Sequence, residues 1–220
     1  ADPQAEIVAV TRQPQALTRR WQGYANMKCC SWDELAQMPL ADGDVIVHGA
    51  FPRQENGQEL TEALDLTGTL LKKAGTSGKE IAWVDISSRS VYGQNEQTPW
   101  TETAELMPAS PYALAKAAQE LLTRQAAEAY GFRYTVLRMA GLIGVGMEAR
   151  LVSQMTMRAI HDRALTVMGG EQQFSMLDIR DAAAGIRALL RKEPTAWRPL
   201  YNFGAEQATR LKDIAPIIQK

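Results

Sequence analysis

Histidine and cysteine are the scarcest residue types in this 220-residue chain, at two each. His48 and His161 lie far apart with no Cys/His cluster near either, so no metal site is expected. Cys29 and Cys30 are adjacent, and neighbours cannot normally reach relaxed disulfide geometry with each other. They read as reduced thiols at a strand end, which points to a cytoplasmic protein. Charge of one sign is missing as well: the formal net charge is −1, leaving no electrostatic footprint for nucleic acid or an acidic membrane. No apolar run approaches about 18 residues, and ADPQAEIV has neither the basic nor the apolar region of an export signal. Repeats and low-complexity tracts are absent. What remains, at 45% hydrophobic and 22% charged, is an ordinary globular composition with room for one domain and a small appendage.

The chain alternates short β-branched runs with longer helical patterns. EIVAV (6–10), DVIVH (44–48), IAWVDIS (81–87) and YTVLRM (134–139) are apolar nearly throughout, as parallel strands covered on both faces should be. Ser31 and Glu34 form a capping box that opens a short helix ending near Pro39. Residues 57–74 are helix-compatible, with Gly57 and Gly68 as weak points. Ser110, Pro111 and Gly131 supply the cap, the first helical position and the stop of another helix. This rhythm predicts an α/β fold with a doubly wound parallel sheet. Residues 1–146 would form its core. Residues 147–220 would mix sheet completion with a small C-terminal substrate-covering lobe: a Met-rich helix (148–163), short strands near 165–168 and 173–177, a helix at 180–192, a strand at 200–203, and a last helix capped by Thr209. Met147, Met155, Met157, Met168 and Met176 read as core rather than pocket lining.

Ligands of open α/β sheets sit beyond the carboxyl ends of the strands. Thr11-Arg12, His48-Gly49-Ala50, Ser87-Ser88 and Met139-Ala140-Gly141 all fall at such ends. Tyr112 and Lys116, four residues apart on the helix starting SPYALAK, share a face and converge on one site. A phenol of pKa about 10 is a poor base at neutral pH, and moving it three units takes roughly 4 kcal/mol. A nearby ammonium and the first helical turn both favour tyrosinate. Ser88 would donate a hydrogen bond to a carbonyl or alkoxide oxygen.

VDISSRSVYG (84–93), SPYALAKAAQE (110–120), VLRMAGLIGVG (136–146) and FSMLDIRDAAAGI (174–186) resemble the extended short-chain dehydrogenase/reductase family, in its NAD-dependent epimerase/dehydratase branch. DVIVHGA (44–50), LDLTGTLL (64–71) and YNFG (201–204) match more loosely, in family order. The resemblance implies a Rossmann-like dinucleotide-binding core and a catalytic Ser88, Tyr112 and Lys116. Arg12, Gly49, Ala50, Ser87, Tyr112, Lys116, Met139, Ala140 and Gly141 would bind the cofactor. It further implies an enzyme, a reductase or an epimerase, moving hydride at a carbonyl or secondary alcohol of a sugar-like or other small molecule. A non-catalytic NAD(P)-binding redox sensor or interaction protein on the same fold is the alternative.

Departures from the family pattern sharpen the reading. No Gly-rich turn precedes EIVAV, so the chain reads as lacking a first β-α unit of roughly 30 residues. Arg89 and Ser90 stand where family dehydratases carry an Asp-Glu pair, which disfavours a 4,6-dehydratase. Gly141 replaces an Asn that meets the substrate diphosphate in nucleotide-sugar enzymes, and Asp65 replaces another Asn. His48, Asp178 and Asp181 match family positions but read as structural, Asp181 as a helix cap. The strand leading to Arg12 ends without the acidic residue that holds the adenosine ribose in NAD enzymes. VTRQP also resembles a turn of NADP-using reductases in the family. NADP is therefore expected rather than NAD. A homodimer is expected through the alanine-rich 110–130 helix.

Overall fold

The computed structural model describes residues 5–52, 56–93, 99–147, 150–163, 165, 167 and 169–218, which fall into two compact units, Ala1–Leu40 and Ala41–Lys220. In the first unit, β1 (Ile7–Val10), α1 (Pro14–Arg20), β2 (Met27–Cys30) and α2 (Trp32–Gln37) follow in order. β1 and β2 pair in parallel from Ile7–Met27 to Val10–Cys30, with α1 as the crossover. The capping box forms as expected: Ser31 Oγ accepts from Glu34 N, and the Glu34 carboxylate accepts from Ser31 N. Cys29 and Cys30 are free thiols, and burial pushes Cys30 above the usual thiol range.

The second unit begins with β3 (Val45–His48), α3 (Gly57–Gly75) and β4 (Ala82–Ser88). A 3₁₀ turn (Arg89–Tyr92) leads to α4 (Pro111–Tyr130), β5 (Arg133–Met139), β6 (Gly141–Ile143) and α5 (Leu151–Asp162). Then come β7 (Gln173–Phe174), β8 (Met176–Asp178), α6 (Ile179–Leu190), β9 (Leu200–Phe203), β10 (Thr209–Arg210) and α7 (Leu211–Ile218). β3, β4, β5 and β9 form one parallel sheet in that order. β9 thus lies within the 147–220 stretch and completes the sheet. β6 pairs with β8 in parallel, and β7 with β10 antiparallel.

α3 opens on Asn56, whose side chain accepts from Gln58 N, so Gly57 sits at its tolerant first position. α4 starts at Ser110, whose Oγ accepts from Ala113 N, and stops at Gly131 in the left-handed region (φ 78°). Gly93 is required for two reasons. Its φ is 56°, and a Cβ there would lie 1.7 Å from the Met107 carbonyl oxygen.

Three local expectations change. Thr209 caps no helix; it pairs with Phe174 in β10, because its backbone is taken up by a two-residue ladder before α7 begins. Asp178, not Asp181, caps α6: its carboxylate accepts from Arg180 N at 2.8 Å, while Asp181 lies one turn further in. The methionines divide, with Met155 buried and Met157 exposed; of the strand expected near 165–168, residues 166 and 168 (Met168) lie outside the described residues, and 165 and 167 belong to no strand.

The two faces of the sheet differ in chemistry. Ala82 and Val84 of β4, with Leu137 and Met139 of β5, pack against Ala182 and Leu189 of α6 and against Trp197. The opposite face meets α4, whose buried residues include Lys116, Gln119, Glu120 and Thr123. There the Arg138 guanidinium donates to the Glu120 carboxylate through Nε (3.1 and 3.2 Å) and Nη2 (2.7 Å). Both side chains are nearly buried, at 7% and 10% exposure. Ser87 Oγ also donates to Glu120, and Arg138 Nη1 donates to Tyr92 Oη at 2.9 Å. Removing one partner of such a pair leaves a charge stranded in a low-dielectric interior. Glu120→Ala should therefore cost about 3–5 kcal/mol in urea unfolding, and a Glu120→Met, Arg138→Met double variant should recover most of it.

Candidate active site

Parallel pairing brings the carboxyl ends of β3, β4 and β5 to one edge, with His48 beside Asp85 and Ser88 beside Met139. A cavity of about 510 Å³ opens there, lined among others by Ser88, Arg89, Trp100, Tyr112, the Met139-Ala140-Gly141 stretch and Arg150. Tyr112 stands in the first turn of α4 and Ser88 at the end of β4, so helix and strand deliver both to the same space. Ser88 Oγ accepts from Ser90 N at 3.2 Å and from Ser90 Oγ at 2.9 Å, which leaves its own proton to donate into the cavity.

Lys116 is 3% exposed. Its ammonium donates to the Ile86 carbonyl at 2.7 Å and to Gln119 Oε1 at 2.9 Å, leaving one of its three protons for a ligand. Gln119 turns its amide nitrogen to Asp85, which is fully buried and also accepts from Thr123 Oγ1 at 3.1 Å. The amide orientation is forced: a carboxylate needs the NH₂ end and an ammonium needs the oxygen. Burial pushes Asp85 well above the usual carboxylate range, and the Lys116 charge offsets part of that rise. Burial lowers Lys116 likewise, and Asp85 and Glu120 hold it up in part. Phe51 covers the ammonium, with its ring centroid 4.1 Å from Nζ, and meets the Tyr112 ring edge-on at 6.0 Å.

Not every expected residue lines the cavity. Ser87 has its hydroxyl committed to Glu120, because successive side chains of a strand point to opposite faces and Ser88 takes the cavity side. Gly49 and Ala50 follow β3 at the same edge, where a Cβ on Gly49 would meet Ile86 at an ordinary 3.7 Å. Gly141 has less room, with a Cβ 3.4 Å from the Ser175 carbonyl oxygen. Arg12 belongs to the first unit, exposed in the turn after β1. His48 is structural: buried, bonded to Thr67 Oγ1 at 2.9 Å and tilted against Trp83, it is pushed down to about 4 by burial. Among the described residues no group of His, Cys, Asp or Glu gathers to hold a metal, and no helix is long and apolar enough to cross a membrane.

The model of the NAD dependent epimerase/dehydratase family matches residues 2–204. The chain belongs to that family. A GDP-6-deoxy-D-mannose reductase of Pseudomonas aeruginosa is 28% identical over 195 residues, covering 80% of this chain and 62% of that protein. A trifunctional UDP-glucose 4,6-dehydratase/UDP-4-keto-6-deoxy-D-glucose 3,5-epimerase/UDP-4-keto-L-rhamnose-reductase of Arabidopsis thaliana is 25% identical over 159 residues, 70% of this chain but 24% of its own length. This member of the family therefore spans only part of the curated relatives it matches. Among solved structures, a UDP-glucuronic acid 4-epimerase of Bacillus cereus in complex with UDP-glucuronic acid and NAD superposes with a TM-score of 0.81 at 19% identity, over 97% of this chain and 74% of that one. A dTDP-glucose 4,6-dehydratase of Streptomyces venezuelae with NAD bound gives 0.82 at 22% identity, over 99% and 71%. The Rossmann-like α/β fold is thereby shown.

Phe51, Gln119 and Asp85 went unread in the sequence. An aromatic residue directly after the small pair at 49–50 was the available signal for the first; an Asp inside an apolar strand was the signal for the others. The lysine's electrostatics supply a direct check. Asp85→Asn removes the charge that holds Lys116 up, so the Lys116 ammonium should titrate at lower pH than in the parent protein. Glu120, Tyr112 and His48 stay in place. NMR titration of lysines labelled at Cε reads the change, and an unchanged Lys116 titration contradicts the coupling.

Proposed function

We propose that this protein is an NAD(P)-dependent oxidoreductase or epimerase acting at a carbonyl or secondary alcohol of a nucleotide-sugar-type substrate, with Ser88, Tyr112 and Lys116 as its chemical groups. The observation that carries the reading is the convergence of Tyr112 and Ser88 on one cavity, with Lys116 buried behind Phe51 on the helical face of Tyr112. In this reading Tyr112 gives or takes the hydroxyl proton, and Ser88 donates to the same oxygen. The Lys116 ammonium favours tyrosinate and offers its remaining proton to a ribose hydroxyl. The donor set suits the nicotinamide-ribose half of a dinucleotide, bordered by Met139, Ala140 and Gly141. A bound nicotinamide supplies or accepts the hydride.

The cavity bears on which family reaction this is. Among its described lining residues none is Asp or Glu, so these residues do not supply the acid–base pair that water elimination needs. That favours a reductase or epimerase over a 4,6-dehydratase. A purely sensory protein would have no need of a Tyr, a Ser and a desolvated Lys at one cavity.

On the cofactor, the expectation of NADP rested on Arg12, on the VTRQP turn and on the lack of an acidic residue at the end of β1. The family description and the NAD bound in related structures favour NAD instead. A reducing, cytoplasmic setting is our reading of the cysteine usage in the sequence. For assembly, Leu114, Leu121 and Leu122 stand exposed on α4, spaced so as to form one stripe with Ala118. A homodimer through that stripe remains our reading.

Two experiments test these statements. Reduced nicotinamide should appear when the protein meets cofactor and an oxidisable nucleotide sugar, and Tyr112→Phe should slow turnover by about 10²- to 10⁴-fold. Full turnover in that variant overturns the assignment. Titration with NAD and NADP, repeated with Arg12→Ala, settles the cofactor: tighter NADP binding lost in the variant restores the phosphate role of Arg12. In light scattering the parent protein should be a dimer and Leu121→Asp a monomer. A monomeric parent at micromolar concentration contradicts the stripe.

A further inference from the structure

Arg89 is the residue the site leaves unexplained. It follows Ser88 directly, opens the 3₁₀ turn and lines the same cavity as Ser88 and Tyr112. It is half-buried, and among the described residues it makes no hydrogen bond or ion pair. Its neighbour in charge, Arg138, shows what this protein does with a structural guanidinium: it is paired bidentately with Glu120 and bonded to Tyr92. Arg89 has no such counter-ion. Burial lowers its pKa, and no carboxylate restores it. Arg150, at the start of α5, adds a second cation to the lining, where no Asp or Glu among the described residues balances either.

A partly desolvated cation kept without a partner costs stability, so its place in a cavity points to a ligand that completes it. Guanidinium presents a planar fork of donors that matches the oxygens of a carboxylate or a phosphate. We propose that Arg89 forms an anion subsite of this cavity, taking an oxyanion of the substrate, a carboxylate or a phosphate, within a few bonds of the carbon that Ser88 and Tyr112 address. The site then selects acidic substrates over their neutral counterparts: the positive lining draws the anion in, and Arg89 holds it next to the reacting oxygen. This inference rests on the assignment of Ser88 and Tyr112 for its meaning in catalysis, but the anion subsite stands or falls separately.

Arginine labelling with phenylglyoxal, read residue by residue by peptide mass, tests it on the protein as it is. Arg89 should be labelled in the unliganded protein. Sodium glucuronate or inorganic phosphate, each against sodium chloride of equal ionic strength, should slow its labelling about tenfold while exposed Arg12, Arg19 and Arg20 keep their rates. Neutral glucose should protect nothing. Stronger protection by glucuronate assigns a carboxylate, and stronger protection by phosphate assigns a phosphate. The proposal is overturned if neither anion protects, if the exposed arginines are protected equally, if glucose protects as well, or if Arg89 resists labelling without any anion. Tyr112→Phe should keep the protection. Protection without hydride transfer leaves the anion subsite standing and removes the proposed reaction; turnover of neutral substrates without protection does the reverse.

Discussion

The buried face of α4 is polar, and the arrangement of the second unit follows from how that polarity is neutralised. Lys116, Gln119, Glu120 and Thr123 all point into the sheet, where unpaired polar groups would each cost several kcal/mol. β4 and β5 answer each of them. Asp85 receives Gln119 and Thr123, the Ile86 carbonyl receives Lys116, and Ser87 and Arg138 both donate to Glu120. These partners are specific in donor and acceptor sense, so the helix cannot slide by a turn without stranding charges. Apolar packing would have tolerated such a slip far better. Stability can suffer from burying ions, but register is gained, and register is what the proposed roles of Tyr112 and Lys116, four residues apart, require.

The other face of the same strands shows why this is affordable. Ala82, Val84, Leu137 and Met139 pack against α6 and Trp197 in an unbroken apolar layer, and Trp197 Nε1 is itself satisfied by the Leu189 carbonyl. One sheet therefore carries its hydrophobic stabilisation on one side and the polar network that seats α4 on the other, while the cavity opens at the strand ends, where Ser88 and Met139 follow on from the apolar side. The polar side extends to the strand ends through Tyr92, which stacks on Trp100 at 5.3 Å and donates to Asn202 Oδ1 at 2.6 Å. Asn202 Nδ2 in turn donates to the Trp100 carbonyl, so β9 and the loop before α4 are tied to the same network that seats Glu120. Trp100 lines the cavity, which makes its wall continuous with the interior.

Much of this was legible in the sequence because it depends on local rules. The capping box at Ser31 and Glu34, the Ser110-Pro111 start, the Gly131 stop and the apolar strands each reflect a constraint that a few neighbouring residues impose. The misreadings came where a distant partner decides. Thr209 has the chemistry of a cap, yet a ladder to Phe174 claims it. Asp181 and Asp178 are both plausible caps, and only the entry angle of the chain selects Asp178. Ser87 and Ser88 are indistinguishable as letters, but the strand's alternation sends one to Glu120 and the other to the cavity. Phe51 contacts Lys116, and Gln119 contacts Asp85, across large sequence separations, and neither carries a motif of its own.

The same distinction bears on how family likeness should be weighed here. Residues that repeat the family pattern, Tyr112 and Lys116 among them, are what the proposed dinucleotide site at this edge is built from. The departures explain what is particular to this chain. A cation at Arg89, in a cavity whose described lining residues include no Asp or Glu, cannot act as the proton donor that a carboxylic acid would be, since a guanidinium stays charged across the physiological range. It donates hydrogen bonds and carries a fixed positive charge, and both suit an anion best. The proposed reading joins these two features: hydride transfer beside a negatively charged group, with the proton assigned to Tyr112 and the charge to Arg89.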